Sequence, residues 1–363
     1  MMATPLLRSK AAKLLCVAAW LTHGPAPSGE PTLKGTYADA FGVGVAVQAG
    51  QFENAAEREL IQRHFGVLVA EYQMKADVIA PREGVYDWSA ADAIVEYAQA
   101  NGMRVRGHAL VWHQSTPDWF LAGGDPAVIR ARLETYVRDV VTRYRGRIFA
   151  WDVVNEAVSD GDGPYRDNAW FRATGPDYID WAFRAARTAD PDCLLFLNDY
   201  GTEREAKLGR LMGVVDDLRE RGVPLDGIGH QFHLGPNQAV EGIHRALDAV
   251  AGVGLVSHVT ELDVSAYNDP GSCYARGSGC LPELADEAVS GFRAEQAHLY
   301  RAVFDAARDR PSVGAVLVWG LHDGRSWLNN FPVRRRPNHP LLFDRSLDPK
   351  PALRALLDRD YEP

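Results

Sequence analysis

The stretch Ile148-Phe-Ala-Trp-Asp-Val-Val-Asn-Glu-Ala157 is a run of mostly apolar residues that ends in an amide and a carboxylate. A continuous apolar run, without alternation of apolar and polar residues, is typical of a parallel strand that is covered on both faces. A second run of this kind ends in His258-Val-Thr-Glu-Leu-Asp263. The apolar runs therefore predict a parallel sheet. The carboxylates at their ends predict that the functional residues lie at the carboxyl-terminal edge of that sheet.

Six further apolar runs follow the same pattern, and amphipathic helical segments separate them. The eight predicted strands are residues 42–47, 67–71, 104–111, 148–154, 194–198, 227–231, 255–261 and 314–319. Strands that alternate with helices imply right-handed crossovers, and eight such units favour a closed barrel over an open doubly wound sheet. The predicted fold class is therefore α/β, a single (β/α)8 TIM barrel.

Length and composition are those of an ordinary globular protein. The chain has 363 residues, a formal charge of −9, 46% hydrophobic residues and 24% charged residues. The acidic residues are spread along the chain, and a duplex-binding protein would need a positive face, so nucleic acid is excluded as a partner. The sequence contains no run that approaches the roughly 18 to 20 apolar residues of a membrane span. We find no linker after residue 41 and predict one catalytic domain over residues 31–363.

The first thirty residues differ from the rest of the chain. Arg8, Lys10 and Lys13 precede a short apolar run over residues 14–21, and small residues and prolines follow it. This layout is typical of a secretory signal peptide. We therefore predict that residues 1–30 are a signal peptide or a disordered leader and that the protein is secreted or periplasmic.

Cysteine usage fits an oxidising compartment. Cys273 and Cys280 bracket a polar, glycine-rich loop, where a loop-closing disulfide is expected; two free thiols are the alternative. Cys193 precedes an apolar strand and is predicted to be a buried free thiol. Because the cysteines and histidines lack zinc spacing, and the segment 42–47 lacks the third glycine of a dinucleotide-binding motif, we predict neither a metal nor a cofactor.

Polar and aromatic residues cluster at the ends of the predicted strands, where a (β/α)8 barrel carries its functional residues. The candidates are Lys75, His108, Trp112, Asn155, Glu156, Tyr200, Gln231, His233, Glu261, Asp263, Trp319 and Trp327. Glu156 and Glu261 stand out because each ends an apolar strand, and these strands, the fourth and the seventh, lie across the barrel mouth. Two carboxyl groups that face each other across a cleft can hydrolyse a glycosidic bond, one as proton donor and one as nucleophile or base. The alternative is that each glutamate is a structural ion-pair partner.

Residues two positions apart in a strand point to the same face of the sheet, and this alternation predicts how the supporting side chains are arranged. We expect Gln231 and His233 to point together, and Glu261 and Asp263 likewise. A histidine beside a buried carboxylate can hold it ionised, as a nucleophile requires. His230 and His233 should face opposite ways, which argues against a metal site. We predict a structural role for His230.

At these motifs the sequence resembles glycoside hydrolase family 10, the endo-1,4-β-xylanases, from about residue 33 to residue 352. The most specific motifs are Trp151-Asp-Val-Val-Asn-Glu-Ala157 and Thr260-Glu-Leu-Asp263. Supporting motifs are Met74-Lys75, His108-Ala-Leu-Val-Trp-His113, Asn198-Asp-Tyr200, Gly229-His-Gln-Phe-His233, Trp319-Gly-Leu-His-Asp-Gly-Arg-Ser-Trp327 and Leu342-Phe-Asp-Arg-Ser-Leu-Asp-Pro-Lys-Pro351.

The resemblance implies a retaining mechanism with Glu156 as acid/base and Glu261 as nucleophile. It also implies that His233 hydrogen-bonds Glu261 and links it to Asp263. The residues implied to contact the sugar at the cleavage point are Lys75, His108, Asn155, Trp112, Trp319 and Trp327. Tyr200 is implied to lie on the leaving-group side.

The sequence departs from the family pattern in three motifs. Tyr72 replaces the usual Asn, and Ala76 the usual Trp. Gln114-Ser115 carries the usual amide one place early, and Gly201 replaces an Asn. The changes at Tyr72, Ala76 and Ser115 fall in the subsites that hold the second xylose. They leave the catalytic pair untouched but put the affinity for plain xylan in question.

The sequence thus predicts an endo-1,4-β-xylanase that acts as a monomer on xylan or xylo-oligosaccharides, without nucleic-acid or membrane partners. One alternative is a related retaining β-1,4-glycanase, such as a glucanase, with altered subsite specificity. The other is a catalytically silent glycan-binding barrel, which the intact carboxylate pair argues against.

Overall fold

The computed structural model describes residues 29–363. Most of the predicted leader, residues 1–28, lies outside the described residues. The ten strands found in this range are β1 (Gly42–Val47), β2 (Val67–Ala70), β3 (Arg104–Gly107), β4 (Val111–Trp112), β5 (Ile148–Asn155), β6 (Leu194–Asp199), β7 (Gly227–His230), β8 (His233–Leu234), β9 (Val256–Val264) and β10 (Val313–Val318).

Eight of these strands form a closed parallel barrel. Each pairs in parallel with its neighbours in the order β1, β2, β3, β5, β6, β7, β9 and β10, and β10 pairs with β1 to close the ring. The short strands β4 and β8 extend the pairing at the rim, β4 against β5 and β8 against β9. The predicted (β/α)8 TIM barrel is confirmed.

Helices cover the outside of the barrel. Those of eight or more residues among the described residues are α2 (Ala55–His64), α4 (Ser89–Ala100), α5 (Pro126–Arg143), α7 (Asp177–Ala189), α8 (Glu205–Glu220), α9 (Val240–Gly252) and α11 (Asp286–Arg308). The shorter ones are α1 (Leu33–Thr36), α3 (Ala76–Ile79), α6 (Ala169–Thr174), α10 (Gly271–Arg276) and α12 (Pro351–Leu357). None of the helices within residues 29–363 combines the length and the apolar character that a membrane span needs.

Helix α5 shows how local sequence sets an element's bounds. The Asp125 carboxylate accepts a hydrogen bond from the Ala127 amide, and Pro126 occupies the first turn, where no intrahelical N–H bond is lost. Ile129, Leu133 and Val137 are buried on one face. The helix therefore starts at its cap and is held to the barrel by its apolar stripe.

Three of the predicted strands are shorter than expected, and the one over 67–71 loses only its last residue. The run over residues 104–111 is not one strand, because β3 ends at Gly107 and the next backbone bond to β5, from the Leu110 amide to the Asp152 carbonyl, lies beyond a break. The run over 227–231 ends at His230, since Phe232 has a φ of 49°. Both breaks lie at the barrel rim, where the chain leaves the ladder and turns into the mouth.

The apolar core has two layers. A large cluster between sheet and helices includes Val43, Leu68, Val153 and Leu262. The barrel interior contains smaller apolar groups, one of them built around Trp319, together with buried polar side chains. Every residue of β1, β2, β6, β7 and β10 is buried, as continuous apolar runs predict.

Candidate active site

The candidate residues lie at the carboxyl ends of the barrel strands. Contacts join eleven of the twelve into one group, which contains Lys75, His108, Trp112, Asn155, Glu156, Gln231, His233, Glu261, Asp263, Trp319 and Trp327. Tyr200 is the twelfth, and Arg166 connects it to this group. The barrel thus brings residues from seven of its strand ends to one mouth.

Glu261 is buried in β9 among hydrogen-bond donors and positive groups. Its Oε1 accepts a hydrogen bond of 2.7 Å from the Asn198 amide, and its Oε2 lies 3.3 Å from His233 Nε2. Burial alone would raise the pKa of this carboxyl group, but His108, His233 and Lys75 outweigh burial and lower the pKa to about 2. Glu261 is therefore ionised at neutral pH.

His233 holds the ionised glutamate in place. Its Nδ1 lies 3.0 Å from Asp263 Oδ1, while Asp263 Oδ2 accepts a hydrogen bond of 2.8 Å from the Trp327 indole. Burial would lower the pKa of His233, but Asp263 and Glu261 outweigh burial and raise it to about 10. A charged imidazole thus sits between two carboxylates, in the arrangement that the family resemblance implies.

His108 approaches Glu261 from the barrel interior. Its Nδ1 lies 3.0 Å from Asp152 Oδ2 and 4.0 Å from Glu261 Oε1. Asp152 is paired in turn with Arg106, which is fully buried and also faces His258 Nδ1 at 2.6 Å. A chain of buried polar contacts through Asp152 and Arg106 therefore fixes the orientation of the His108 ring.

Glu156 follows β5 and has a φ of 58°, in the left-handed region. Its Oε2 accepts a hydrogen bond of 3.0 Å from the Trp112 indole, and its Oε1 accepts one of 3.3 Å from Gln231 and one of 3.4 Å from Asn155. A left-handed conformation is costly for a residue with a Cβ and is found mostly where surrounding structure enforces it, often at functional sites. Here the Glu156 amide is anchored on the Asn198 carbonyl at 2.8 Å.

Gln231 and His233 both point into the site, but strand alternation is not the cause. Gln231 bonds Glu156 and His233 contacts Glu261, but Phe232 between them leaves the strand conformation. The two side chains converge because the chain turns. His230 is fully buried and faces the Thr202 hydroxyl at 2.8 Å, in agreement with its predicted structural role.

Asn198 is a central residue of the site, although no role for its side chain was predicted from the sequence. Its amide nitrogen donates both to Glu261 Oε1, at 2.7 Å, and to Asn155 Oδ1, at 2.8 Å. Thr260 donates to its amide oxygen at 2.7 Å and so fixes which way the amide points. Asn198 thus links the surroundings of both glutamates, and its position at a strand end is the sequence signal that points to it.

Lys75 is nine-tenths buried, yet its ammonium group makes no hydrogen bond or ion pair with any residue in the range 29–363. Its ammonium group lies 4.4 Å from the centre of the Trp112 ring and 5.1 Å from that of Tyr72. Burial lowers the pKa of Lys75, while Glu261, Glu71 and Glu156 act in the opposite direction. Its donors are therefore available to a ligand in the mouth.

Tyr200 belongs to a charged cluster beside Glu156. Arg166 donates to the Tyr200 hydroxyl at 2.8 Å and to the Glu156 carbonyl at 2.8 Å, and Tyr200 donates to Asp160. Lys207 completes the cluster at 2.8 Å from Asp160. Arg166 was not identified from the sequence, because it lies in a loop well beyond the strand end.

The structure contains the Cys273–Cys280 disulfide. The segment between them is partly helical, since α10 covers Gly271–Arg276, and is not the simple loop that composition predicted. With Asp269, these cysteines form the one cluster of metal-ligand type in the described residues, but both sulfurs are committed to the disulfide. Cys193 is a buried free thiol, as predicted, and burial raises its pKa.

Comparisons with known proteins agree with this geometry. The chain is 40% identical over 350 residues to the thermostable celloxylanase of Thermoclostridium stercorarium, across 90% of this chain and 87% of the relative. It is 37% identical over 340 residues to endo-1,4-β-xylanase B of Paenibacillus barcinonensis, across 91% and 98%. A solved structure of a mutant in complex with xylotriose is 34% identical, with a TM-score of 0.82 across 90% of this chain and 99% of that one. Residues 32–359 match the sequence model of glycosyl hydrolase family 10, and the chain belongs to that family.

Proposed function

We propose that this protein is a retaining endo-1,4-β-xylanase that hydrolyses internal bonds of xylan and xylo-oligosaccharides. The observation that carries the proposal is the pair Glu156 and Glu261, whose surroundings are joined through Asn155 and Asn198. Family membership supports the retaining mechanism, and the names of the relatives support xylan as substrate.

In the first step Glu261 attacks the anomeric carbon while Glu156 protonates the departing glycosidic oxygen. Because its neighbours hold the pKa of Glu261 near 2, the nucleophile is ionised before substrate arrives. The C–O bond to the leaving sugar breaks as the bond to Glu261 forms. The product of this step is a covalent glycosyl-enzyme ester.

In the second step Glu156, now a carboxylate, removes a proton from the water that attacks the same carbon. The ester bond breaks, Glu261 leaves as a carboxylate, and Glu156 regains its proton. Two inversions at one carbon retain the anomeric configuration. His233 and Asn198 stay on Glu261 through both steps and can receive its returning charge.

The remaining predicted site residues are assigned to substrate binding. We assign to Lys75, His108 and Asn155 the hydroxyls of the sugar at the cleavage point, where Asn155 would serve the 2-hydroxyl. The residues assigned to the walls of this subsite are Trp112, Trp319, Trp327 and Gln231. Tyr200, with its Arg166 contact, is assigned to the leaving-group side.

Product stereochemistry tests the mechanism. Proton NMR of xylo-oligosaccharide hydrolysis should show the β-anomer first, with the α-anomer appearing only by mutarotation. Glu261→Ala should reduce turnover by several orders of magnitude while the circular dichroism spectrum stays native. Initial release of the α-anomer, or near-normal rates in that variant, would contradict the proposal.

A related β-1,4-glycanase is the second candidate, favoured by the celloxylanase name of one relative. Release of reducing sugar from xylan and from carboxymethyl cellulose separates the two, with Glu156→Ala as the blank. We expect xylan to be the better substrate. Equal rates on both polymers would favour the second candidate, and no release from either would favour a silent glycan-binding barrel.

We also propose that residues 31–363 form the catalytic domain, that residues 1–30 are removed on export, and that the mature protein is a monomer. The apolar run and basic residues of the leader and the Cys273–Cys280 disulfide support export. Intact-mass measurement of protein from the medium or periplasm, followed by analytical ultracentrifugation, tests all three statements. A full-length mass or a dimeric sedimentation coefficient would contradict them.

A further inference from the structure

A buried ion pair lies against the main chain just after Glu156. Lys207 Nζ is 3.0 Å from Asp199 Oδ1, and both side chains are buried. The aspartate ends β6 and the lysine stands in the first turn of α8, so neither belongs to the segment that carries Glu156. The attraction between two buried charges does little more than offset their desolvation penalty. The contribution of this pair is therefore to be sought in what it holds in place.

The ion pair holds Val158 at both of its polar main-chain atoms. The Val158 amide donates to Asp199 Oδ2 at 2.9 Å, and Lys207 Nζ donates to the Val158 carbonyl at 2.9 Å. The Val158 side chain is itself fully buried. The two partners of one ion pair thus fix the main chain only two residues after Glu156.

The loop that begins with Glu156 is closed by its own hydrogen bonds. The Arg166 amide donates to the Ala157 carbonyl at 2.7 Å, and the Ser159 amide donates to the Pro164 carbonyl at 3.0 Å. These bonds stiffen the loop, so its placement on the barrel depends on contacts with other segments. The two bonds from the ion pair to the main chain are contacts of this kind.

Glu156 needs such an anchor because its main chain is strained. Its φ of 58° is costly for a residue with a Cβ and persists only where the surrounding structure enforces it. Its amide is held by the Asn198 carbonyl, and its carbonyl accepts from Arg166, which belongs to the same loop. The ion pair therefore supplies the first hydrogen bonds to other elements that follow Glu156 along the chain.

We propose that Asp199 and Lys207 are positioning residues for the proton donor, because they hold the main chain at Val158 and so keep the Glu156 carboxyl group aimed at the glycosidic oxygen. This inference rests on the proposed function, in which Glu156 protonates the leaving group. Neither residue needs to touch the substrate, since both act through the main chain. A displacement of a catalytic group by about 1 Å costs on the order of 100-fold in rate.

Two substrates with leaving groups of different acidity isolate the step of proton donation. Phenyl β-xylobioside releases a basic phenolate, which requires a proton from Glu156, whereas dinitrophenyl β-xylobioside releases a weakly basic anion that departs without one. For each substrate, kcat/KM reports binding and the first chemical step. The ratio of the two kcat/KM values therefore measures proton donation. A loss of folded protein lowers both values equally and cancels in the ratio.

Lys207→Met removes the ammonium group and keeps an unbranched side chain. We expect kcat/KM for the phenyl substrate to fall about 30-fold or more and that for the dinitrophenyl substrate to fall at most about threefold. The single variant leaves Asp199 charged and unpaired in the interior, which is destabilising. The double variant Lys207→Met with Asp199→Asn carries neither charge and should show the same selective loss.

Two further variants serve as controls. Glu156→Ala removes the proton donor itself and should show the largest selective loss on the phenyl substrate. Lys350→Met breaks another buried ion pair between a lysine and an aspartate, Asp323 at 3.0 Å, which makes no hydrogen bond to the loop over residues 156–166. This variant should leave the ratio unchanged.

The outcomes separate this inference from the proposed function. If Glu156→Ala shows the selective loss but both Lys207 variants lose equally on the two substrates, or lose nothing, this inference alone is overturned. A selective loss in Lys350→Met as large as that in Lys207→Met would also overturn it, because any broken buried pair would then have the same effect. If Glu156→Ala shows no selective loss, the proposed role of Glu156 is wrong, and the proposed mechanism fails with it.

Discussion

The charge of Glu261 is set by its neighbours and not by solvent. The side chain is buried, which by itself favours the neutral acid, yet His108, His233 and Lys75 surround it closely enough to reverse that preference. This arrangement requires several charged groups to be buried together, which carries a desolvation penalty. His233 lies closer to the carboxylate than His108 does, at 3.3 Å against 4.0 Å, and its own charge depends on Asp263.

We predict that His233 stays protonated to well above neutral pH and that Asp263→Asn lowers its pKa by a unit or more, about 1.4 kcal/mol per unit of lost interaction. The asparagine can still accept the Trp327 bond, so the fold is retained. NMR titration of the histidine ring signals measures the pKa of His233 in the wild type and in the variant. His230, whose pKa burial lowers to about 3, serves as an internal reference. A His233 that titrates near 6.5 in both proteins would contradict the assignment.

The same pair links pH to stability. The pKa of His233 is raised on folding, so its contribution to the free energy of unfolding is complete below pH 6.5 and is lost as pH rises toward 10. We expect wild type to lose more stability than Asp263→Asn across this window. Urea denaturation at pH 6 and pH 10 tests the sign, because other groups titrate equally in both proteins.

At the scale of elements, the close pairing of β7 with β6 fixes the position of the Asn198 side chain. A Cβ added at Gly229 in β7 would lie 2.1 Å from Asn198 Oδ1 and 3.0 Å from the Thr260 methyl group. Gly229 therefore leaves room for the amide that bonds Glu261 and Asn155. A glycine in a strand costs conformational entropy, but a residue with a Cβ would collide with Asn198 at this position.

Gly229→Ala is expected to displace Asn198 and to reduce kcat/KM by about 30-fold or more, the effect of losing a hydrogen bond to a charged group. The matched control is Gly209→Ala in α8, where nothing lies within 4 Å of the added Cβ. That variant should keep full activity and gain up to about 1 kcal/mol of stability. Steady-state kinetics and thermal unfolding of both proteins provide the measurements, and equal activities would contradict the role of Gly229.

Sequence patterns predict the barrel well because its strands are buried on both faces and its helices have caps and apolar stripes. The run over residues 42–47 matches β1 at both ends. The patterns fail where the chain leaves the ladder, as after Gly107 and at Phe232, because hydropathy does not encode a turn inside an apolar run. Glu156 and Glu261 end apolar runs and are visible for that reason. Asn198 and Arg166 act through contacts made only when distant segments meet.

At the scale of the whole molecule, the end of the chain returns to the barrel mouth. Lys350, just before α12, is buried and lies 3.0 Å from Asp323 Oδ2, and it donates to the His339 carbonyl at 2.7 Å. Asp323 begins the loop that carries Trp327, whose indole bonds Asp263. One buried ion pair thus fastens the last segment of the chain to the loop beside the nucleophile.

Breaking this pair should destabilise the molecule by leaving a charge unpaired in the interior. We expect Lys350→Met to lower the free energy of unfolding by about 3 to 5 kcal/mol, because Asp323 is fully buried and keeps only weaker partners, such as the Leu341 amide at 2.9 Å. Adding Asp323→Asn removes the orphaned charge and preserves an acceptor for that amide. The double variant should therefore recover a substantial part of the loss.

Denaturant unfolding followed by tryptophan fluorescence gives the free energies of unfolding of the wild type, the single variant and the double variant. A double variant no more stable than the single one would show that the lysine acts through packing of its aliphatic stem, and the electrostatic link between the chain end and the active-site loop would be wrong.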